Sequence, residues 1–327
     1  MKMDTKRPLA AVSLDLDNLW SYMRTHGEPG WEDYPSYLDV FIPRVLGLLK
    51  QIDLKITFFI VGKDATLAKN KEYLAQLTAE GHEVGNHSFL HEQWFSKFSR
   101  ERVKQEIESA EKAIVEVTGQ RPVGFRSPGY GINGFHFEVL IDLGYLYDTS
   151  SLPTFLGPLA RAYYFKTAVL DDEEKNKRKD LFGGFKNGLK PIKPYLLESS
   201  PGHQILEIPV TSVPLLKIPF HLSYLIYIAR HSEELMKLYL NFAILSCKIS
   251  RTPLNFLLHP LDLMGKEDAP GLAFFPGMDM TGEKKKQIFL GVLQTLMKHF
   301  QLVRMSVLAK HILQHGDIKV VHDYRFL

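Results

Sequence analysis

The sequence predicts an α/β protein built on a mainly parallel sheet, and three observations support this. Apolar runs of strand length alternate with helical patterns through the first two thirds of the chain. At 327 residues the chain is long enough to bury a sizeable core. Its hydrophobic content of 45% excludes a disordered chain. Alternation at this spacing indicates a parallel sheet, or a barrel with helices outside it.

The first five predicted elements alternate strictly in type. Residues 9–14 form a compact apolar run that ends at two acids. Residues 55–61 have the β-branched and aromatic content of a strand that is buried on both faces. Residues 36–50 and 64–80 carry apolar side chains at helical spacing, and residues 82–86 form a short strand. The predicted order is therefore β-α-β-α-β.

The following segments continue this alternation. Residues 99–118 are the clearest helix, because one face is apolar and Gly119 follows its end. Residues 123–126 and 145–148 are predicted strands, and the helix between them covers residues 135–143. These segments add two parallel strands to the predicted sheet.

The alternation stops between residues 156 and 202. A charge run over residues 171–180, with glycines and prolines after it, predicts a long insertion on the surface. We expect a single domain over residues 1–327 that contains this insertion. Beyond it we predict strands at 205–210, 254–258 and 302–303, helices at 233–249 and 283–300, and a last helix near the C-terminus.

Charge and cysteine content exclude several kinds of site. The 40 Lys and Arg against 37 Asp and Glu leave a net charge of +3, which is too small to indicate a nucleic-acid partner. Cys247 is the only cysteine, which excludes an internal disulfide and an all-cysteine zinc site. Its place in an apolar helix predicts an unreactive core thiol. Nitrogen ligands must therefore come from the 13 histidines.

Two observations predict the compartment. Residues 1–8 are polar and charged, so they do not resemble a secretion signal. No apolar run reaches the ~18 residues of a membrane span. We therefore expect a cytoplasmic protein. The most apolar segment, residues 213–228, favours a core or dimer contact, and peripheral contact with a lipid carrier or the inner face of the membrane stays open as the alternative.

Polar side chains follow the predicted strands at their C-terminal ends, where ligands bind in barrels and open sheets. Asp15 and Asp17 follow the first strand on one side, and two buried acids repel each other unless a cation or base lies near. His87 and His91 follow the 82–86 strand, four residues apart, so both rings can reach one ion. With Asp17 they offer the donor set of a catalytic Zn²⁺ or a similar ion.

Further strand ends carry polar residues as well. Arg126 ends one strand, and Gly129 and Tyr130 lie in the sharp turn after it, which exposes backbone N–H groups. Asp148 and His259 each close an apolar strand. A single histidine in such a place more often packs in a core than acts in catalysis. The recurrence of polar strand ends at one edge nevertheless favours a shared site.

The same turn also permits a second interpretation. Gly129, Gly131 and Gly134 match the G-x-G-x-x-G dinucleotide fingerprint, and Asp148 stands at the end of the next strand. Pro128 interrupts the passage from strand to turn that this fingerprint requires. A dinucleotide site would also leave the acids and histidines without a role, so we retain it as the weaker alternative.

Taken in order, these segments resemble the polysaccharide deacetylase family with its NodB-homology domain. Asp15-Leu16-Asp17 resembles the first motif, in a variant with one residue between the acids. His87-Ser88-Phe89-Leu90-His91 matches the H-[ST]-x-x-H metal motif in full, and Arg126-Ser127-Pro128 resembles the R-x-P motif. Asp148 and His259 occupy the fourth and fifth motif positions, the fourth without its usual tryptophan.

The resemblance covers roughly residues 9–150 and 205–310. It implies a distorted (β/α) barrel of the NodB-homology type, with an insertion before the last strands. It also implies a metal-dependent hydrolase that removes an acetyl or formyl group from the nitrogen of a sugar.

Roles for the site residues follow from this resemblance. Asp17, His87 and His91 would hold a divalent metal, with zinc favoured and cobalt, nickel, manganese or iron as alternatives. Asp15 would be the general base and His259 the general acid that protonates the leaving amine.

The resemblance assigns supporting roles to the other four residues. Arg126 would orient Asp15, and Asp148 would support His259. Backbone N–H groups near Gly129 and Tyr130 would help to form the oxyanion hole.

The expected partner is an N-acylated sugar or a small amide. No secretion signal is recognised and residues 213–228 are apolar and aromatic, so we hypothesise a lipid-linked or polysaccharide-precursor sugar as the substrate. Hydrolysis of a small cyclic amide, as in allantoinase-like relatives, is the first alternative. A non-catalytic module that binds a glycan in the same cleft is the rival of another class, although the acid, base and metal residues are all present.

Overall fold

A computed structural model of the chain describes residues 7–132, 134–168, 170, 172–177 and 184–322. The strands are β1 (Leu9–Leu16), β2 (Thr57–Ile60), β3 (Glu83–Asn86), β4 (Gly124–Phe125), β5 (Tyr147–Asp148), β6 (Tyr195–Ser200), β7 (His203–Glu207), β8 (Leu254–Leu258), β9 (Gln301–Val303) and β10 (Lys319–Val321). The α-helices are α1 (Leu19–His26), α2 (Leu38–Gln51), α3 (Gly62–Thr66), α4 (Ala68–Ala79), α5 (Arg100–Thr118), α6 (Gly134–Asp142), α7 (Gly157–Thr167), α8 (Asp172–Lys177), α9 (Leu222–Ala229), α10 (Glu233–Ser250), α11 (Gly282–His299) and α12 (Met305–His315).

These strands form one sheet in the order β10-β6-β7-β5-β4-β3-β2-β1-β8, and β9 pairs with the start of β1. Every pair is parallel except β6 with β7. The predicted α/β class with a mainly parallel sheet is therefore confirmed. Because the strands are parallel, the C-terminal ends of β1, β3, β4, β5 and β8 lie at one edge.

The sheet is not a closed barrel, since β8 ends the strand order. The edge of β8 that is not paired with β1 faces the segment after β7 instead of another strand. The Thr211 N–H donates to the Asn255 carbonyl at 3.2 Å, and Asn255 Nδ2 donates to the Ile208 carbonyl at 3.1 Å. Isolated hydrogen bonds thus replace a ladder at this point, which is how the predicted barrel is distorted.

Several predicted elements lie where local pattern placed them. Helix α5 begins after Ser99, whose Oγ accepts the Arg102 N–H at 3.3 Å, and it ends at Gly119 with a φ of 68°. The left-handed backbone at Gly119 explains why glycine follows this helix. The helix predicted over residues 64–80 is instead two helices, α3 and α4. They are divided by Leu67, whose extended backbone (φ −81°, ψ 120°) interrupts the helical turn.

Six elements were not predicted from the sequence, and two of them, α7 and α8, lie in the predicted insertion. Helix α1 follows β1 directly, and the Asn18 side chain caps it by accepting the Leu19 N–H at 2.8 Å. Helix α9 lies within the apolar segment 213–228. Strand β6 lies inside the predicted insertion and pairs with β7 and with β10, which was also missed.

The apolar segment 213–228 is partly buried in the core, whereas Leu215, Leu216 and Tyr227 are exposed. Val213, Phe220 and Leu222 have no exposed surface, and they join the main hydrophobic cluster with β1, β8 and the helices around them. Burial of this kind accounts for these three apolar residues without a lipid contact. Across the described part of the chain, each helix is too short or too polar to cross a lipid bilayer.

The buried histidine at the start of β3 makes the stability of the fold depend on pH. Burial, reinforced by the charge of Lys55, lowers the pKa of His82 to about 4, and His82 Nδ1 accepts the Ile56 N–H at 3.2 Å. An unfolded histidine has a pKa of ~6.5, so the unfolded chain binds this proton more tightly than the folded chain. The stabilisation that His82 contributes is therefore complete above pH ~6.5, and it is lost as the pH falls toward 4.

We expect the free energy of unfolding to fall by on the order of 2 kcal/mol from this group between neutral pH and pH 4. In urea titrations at both pH values, His82→Asn keeps an acceptor for Ile56 but should lose this part of the pH dependence. The exposed His203→Asn serves as the matched control and should keep the wild-type dependence. Equal pH dependence in wild type and His82→Asn would contradict the assignment.

Candidate metal centre and active site

The predicted site residues meet at the C-terminal edge of the sheet. Asp15 lies at the end of β1 and Asp17 directly follows it, while His87 follows β3. Arg126 follows β4 and His259 follows β8. The first four are buried, and the His259 side chain is 20% exposed, which leaves it accessible from solvent.

Asp17, His87 and His91 bring three ligand atoms to one point, within 4.8 Å of one another. Asp17 Oδ1 lies 3.4 Å from His87 Nε2 and 2.9 Å from His91 Nε2. Neither contact has hydrogen-bond geometry, and this buried oxygen has no hydrogen-bond partner among the described residues. A convergent oxygen and two imidazole nitrogens are donors that suit Zn²⁺ or a similar cation, so this set fits a metal.

The orientation of His87 is fixed from behind the candidate metal centre. Its Nδ1 lies 2.6 Å from the Arg126 carbonyl, and since a carbonyl only accepts, Nδ1 carries the proton. The lone pair of Nε2 then points toward Asp17. Support of a histidine ligand through its second nitrogen is the usual arrangement at protein metal sites.

The turn between the two histidines has an unusual backbone. Ser88 and His91 have φ values of 60° and 50°, a region that costs free energy for residues other than glycine. Glu106 of α5 stabilises the turn, because one of its carboxylate oxygens accepts the N–H groups of Phe89 and Leu90 at 3.0 and 2.9 Å. Glu106 was not predicted, since it appears in the sequence only as an acid within an amphipathic helix.

The electrostatics of this cluster favour positive charge between its members. Burial acts to raise the pKa of Asp17, but His91 and His87 outweigh it and hold that pKa well below its usual range. For His87, burial acts to lower the pKa, and Asp15 and Asp17 raise it overall. The charges that attract a proton here would also attract a metal cation.

Arg126 binds the second acid, Asp15, in a fully buried ion pair. Its Nη1 donates to Asp15 Oδ1 at 2.5 Å, and its Nη2 donates to Ser13 Oγ at 2.9 Å. The remaining N–H groups reach the carbonyl and hydroxyl of Thr149, and the guanidinium lies over the Phe59 ring at 4.4 Å. The contact between Arg126 and Asp15 that the family resemblance implies is therefore present.

His259 faces the opposite side of Asp15, with 3.9 Å between its Nε2 and Asp15 Oδ2. Behind the ring, Nδ1 lies 3.1 Å from Ser223 Oγ. The Asp262 carboxylate accepts the His259 backbone N–H at 2.8 Å. Ser223 thus contacts the ring of His259, and Asp262 contacts its backbone.

The support predicted for His259 from Asp148 does not appear as a direct contact among the described residues. Among the described residues, Asp148 bonds to Ser150 Oγ at 2.8 Å and lies 3.4 Å from His136 Nε2. The register of β5 with β7 places it beside Glu207. Burial and the Asp148 charge raise the pKa of Glu207 well above its usual range.

The turn after Arg126 is already hydrogen-bonded within itself. The Tyr130 N–H donates to the Ser127 carbonyl at 3.3 Å, and the Gly131 N–H donates to the Pro128 carbonyl at 3.2 Å. Gly129 has a φ of 59°, and a Cβ there would lie 2.3 Å from Gln93 Oε1. This explains the glycine without a nucleotide, and it leaves Tyr130 a weaker candidate for the oxyanion hole than expected.

Comparisons with known proteins agree with these motifs. The model of the family described as polysaccharide deacetylase matches residues 30–147, which include His87, His91 and Arg126. The resemblance to this family is therefore confirmed. Asp15, Asp17, Asp148 and His259 lie outside the matched segment, so their roles depend on the geometry given above.

Curated relatives match only part of their own length. A peptidoglycan deacetylase from Helicobacter pylori is 29% identical over 152 residues, which are 44% of this chain and 50% of the relative. A peptidoglycan-N-acetylglucosamine deacetylase from Bacillus cereus is 34% identical over 105 residues, which are 32% of this chain and 47% of the relative. The chain thus spans about half the length of these proteins.

Solved structures show a shared fold over nearly the whole chain. A candidate polysaccharide deacetylase from Mycobacterium smegmatis has a TM-score of 0.61 at 18% identity, covering 99% of this chain and 96% of the other. Puue allantoinase has a TM-score of 0.58 at 16% identity, covering 96% and 93%. At these identities the likeness concerns the fold alone.

Removing the buried guanidinium should destabilise the fold strongly. In Arg126→Met, the Asp15 carboxylate and Ser13 lose their partner inside the protein. We therefore expect the free energy of unfolding to fall by about 3–5 kcal/mol. Arg121→Met is the matched control, because Arg121 pairs with Glu111 at the surface and should contribute less than about 1 kcal/mol. Chemical denaturation measures both, and similar losses in the two variants would refute the assignment.

Proposed function

We propose that the protein is a metal-dependent hydrolase that removes an N-acetyl group from a sugar. The observation that carries this proposal is the convergence of Asp17, His87 and His91 beside two further groups, Asp15 and His259. The family match over residues 30–147 supports the same class of reaction. The names of the two bacterial relatives support an N-acetylated glycan as the substrate.

Asp17, His87 and His91 would hold the metal, for which zinc is the favoured identity. When bound, such an ion polarises the amide carbonyl and lowers the pKa of a water molecule. Three protein donors leave coordination positions open, as catalytic sites require.

Asp15 is the proposed general base. Arg126 occupies its Oδ1, so Oδ2 is the oxygen that faces the histidines and can take the proton of the attacking water. Arg126 is its positioning residue, because Nη1 holds Oδ1 while Ser13 and Thr149 hold the rest of the guanidinium in place.

His259 is the proposed general acid for the leaving nitrogen. The ring Nδ1 of His259 bonds to the Ser223 hydroxyl, which directs Nε2 toward the substrate side of the site. Asp262 accepts the backbone N–H of His259 and so fixes the start of the turn that follows it. We therefore propose Ser223 and Asp262 as positioning residues for His259, in the place that the family motif would give to Asp148.

We propose a different task for Asp148. It accepts the hydroxyl of Ser150, whose oxygen accepts the Ser127 N–H at 2.8 Å. Asp148 thereby acts on the turn that contains Gly129 and Tyr130. The backbone N–H of Gly129 is the donor we propose for the oxyanion, because that of Tyr130 already bonds to Ser127.

The remaining assignments are also part of the proposal. We propose one catalytic domain over residues 1–327 with an insertion at residues 156–202. We propose neither a lipid-linked sugar nor a membrane contact, because Val213, Phe220 and Leu222 of the apolar segment are core residues. A small cyclic amide is not favoured, since the likeness to Puue allantoinase concerns the fold, and neither is a dinucleotide, since the turn at Gly129 is closed on itself.

Metal content and hydrolysis should separate under two substitutions. The purified protein should contain about one equivalent of metal, and His87→Ala should lose it with the donor. Asp15→Asn should keep the metal but hydrolyse an N-acetylglucosamine oligomer about 10²–10⁴-fold more slowly, because the base is gone. Elemental analysis and amine release measure the two properties.

The exposed His203→Ala is the control for the loss of a histidine and should leave both properties unchanged. A protein that binds no metal under varied metal supply would refute the centre. Hydrolysis by Asp15→Asn at the wild-type rate would contradict the role of Asp15 as general base, but it would not contradict the metal site.

Removal of the Ser223 hydroxyl tests the hydrogen bond between Ser223 and the His259 ring. Ser223→Ala should lower kcat about tenfold, since one hydrogen bond to a charged group is lost, while KM and metal content stay unchanged. Ser223→Thr retains a hydroxyl and should keep most of the activity. If the threonine variant loses as much kcat as the alanine variant, packing and not the hydrogen bond accounts for the effect.

A further inference from the structure

Helix α10 is apolar on two opposite faces. The inward face packs on α9 and α11 through Met236, Leu240, Ala243, Ile244 and Cys247. The outward face, here called the α10 stripe, consists of Leu235, Leu238, Phe242, Leu245 and Ile249. These five side chains are 44–75% exposed, so an apolar surface is left in water. A helix with apolar residues on two opposite faces is normally covered on both of them.

The spacing of the α10 stripe is that of a coiled-coil seam. Its members follow one another at intervals of three, four, three and four residues. Such a series corresponds to the a and d positions of two heptads, and it spans about 21 Å along the helix. A narrow seam of this kind fits the groove of another helix better than the flat surface of a membrane, for which a wide apolar face is typical.

Polar residues border the stripe with the same repeat. Glu234, Asn241 and Lys248 lie seven residues apart and are exposed, so they form one line beside the seam. In heptad terms they are the g positions, which set orientation and partner choice in coiled coils. The line is acidic at its N-terminal end and basic at its C-terminal end.

We propose that the α10 stripe binds the α10 stripe of a second copy of this chain, antiparallel and about a two-fold axis. In this arrangement Leu235 packs on Leu245 of the second copy, and Leu238 packs on Phe242 of the second copy. Each contact occurs twice because the interface is isologous.

The same register makes the charges complementary. It places Glu234 opposite Lys248 of the second copy, and it places the two Asn241 residues opposite each other at the axis. A parallel pair would place Glu234 beside Glu234 and Lys248 beside Lys248, so these charges would not be complementary. Complementary flanking charges therefore favour the antiparallel second copy as the occupant.

The α10 stripe supplies part of the apolar area that a dimer interface needs. Five side chains at this exposure offer several hundred Å² of apolar surface, while a stable interface buries roughly 800 Å² per partner. The turn before α9 extends the apolar surface, since Leu215 and Leu216 are 94% and 52% exposed. Tyr239 ties this turn to α10 by donating to the Pro219 carbonyl at 2.8 Å.

Sedimentation equilibrium of the full chain over the micromolar range tests the proposal. We expect a dimer, and Leu238→Glu should raise its Kd about 100-fold or more, because it buries a charge twice in the seam. The position is exposed in the single chain, so folding should be unaffected, as circular dichroism will show. Leu313→Glu is the matched control, since Leu313 is an exposed leucine on another helix, α12, and should leave Kd unchanged.

Charge reversal tests the antiparallel register. Glu234→Lys and Lys248→Glu should each weaken the dimer about fivefold, and the double variant should restore it. A chain that is monomeric throughout would overturn the proposal, and so would a dimer that Leu238→Glu leaves intact. Flotation with phosphatidylcholine–phosphatidylglycerol vesicles provides the last measurement. A monomer that binds these vesicles through Leu238 would replace the second copy with a membrane.

Discussion

The buried ion pair between Arg126 and Asp15 is the interaction on which the rest of the site depends. A guanidinium without exposed surface is tolerated only when its N–H groups are paired, and here the partners come from β1 and from the residue after β5. Its positive charge also offsets the repulsion between Asp15 and Asp17. Because the Arg126 carbonyl orients His87, one residue connects the candidate base with the candidate metal centre.

The part of the site that was predicted from the sequence lies on adjoining strands. Strands β1 and β3 flank β2, so polar residues placed after them by local pattern had to converge once the strands were parallel. The same logic predicted Asp17 near His87 and His91. It did not predict the left-handed backbone at Ser88 or the support from Glu106, because neither leaves a periodic signal in the chain.

What the sequence did not predict are contacts across long stretches of chain. Ser223 lies 36 residues before His259, and a serine at the start of an apolar helix carries no mark of that contact. Asp148 was assigned to His259 by motif order, but pairing of β5 with β7 decides its neighbour, and β7 follows the insertion. Local periodicity reports which face is buried, whereas the identity of the neighbouring strand depends on the whole topology.

The two acids of β1 differ in which oxygen remains available, and this difference separates their tasks in the proposed reaction. Arg126 covers Oδ1 of Asp15 and leaves Oδ2 at 4.0 Å from His87 and 3.9 Å from His259, on the path between metal and acid. Asp17 instead presents Oδ1 to both imidazoles without a hydrogen bond. Asp17 Oδ1 accepts no hydrogen bond from the residues that the structure describes and therefore suits a cation. Asp15 Oδ2 is not occupied by Arg126 and therefore suits a general base. Exchange of the two roles would therefore require moving Arg126, which the surrounding strands prevent.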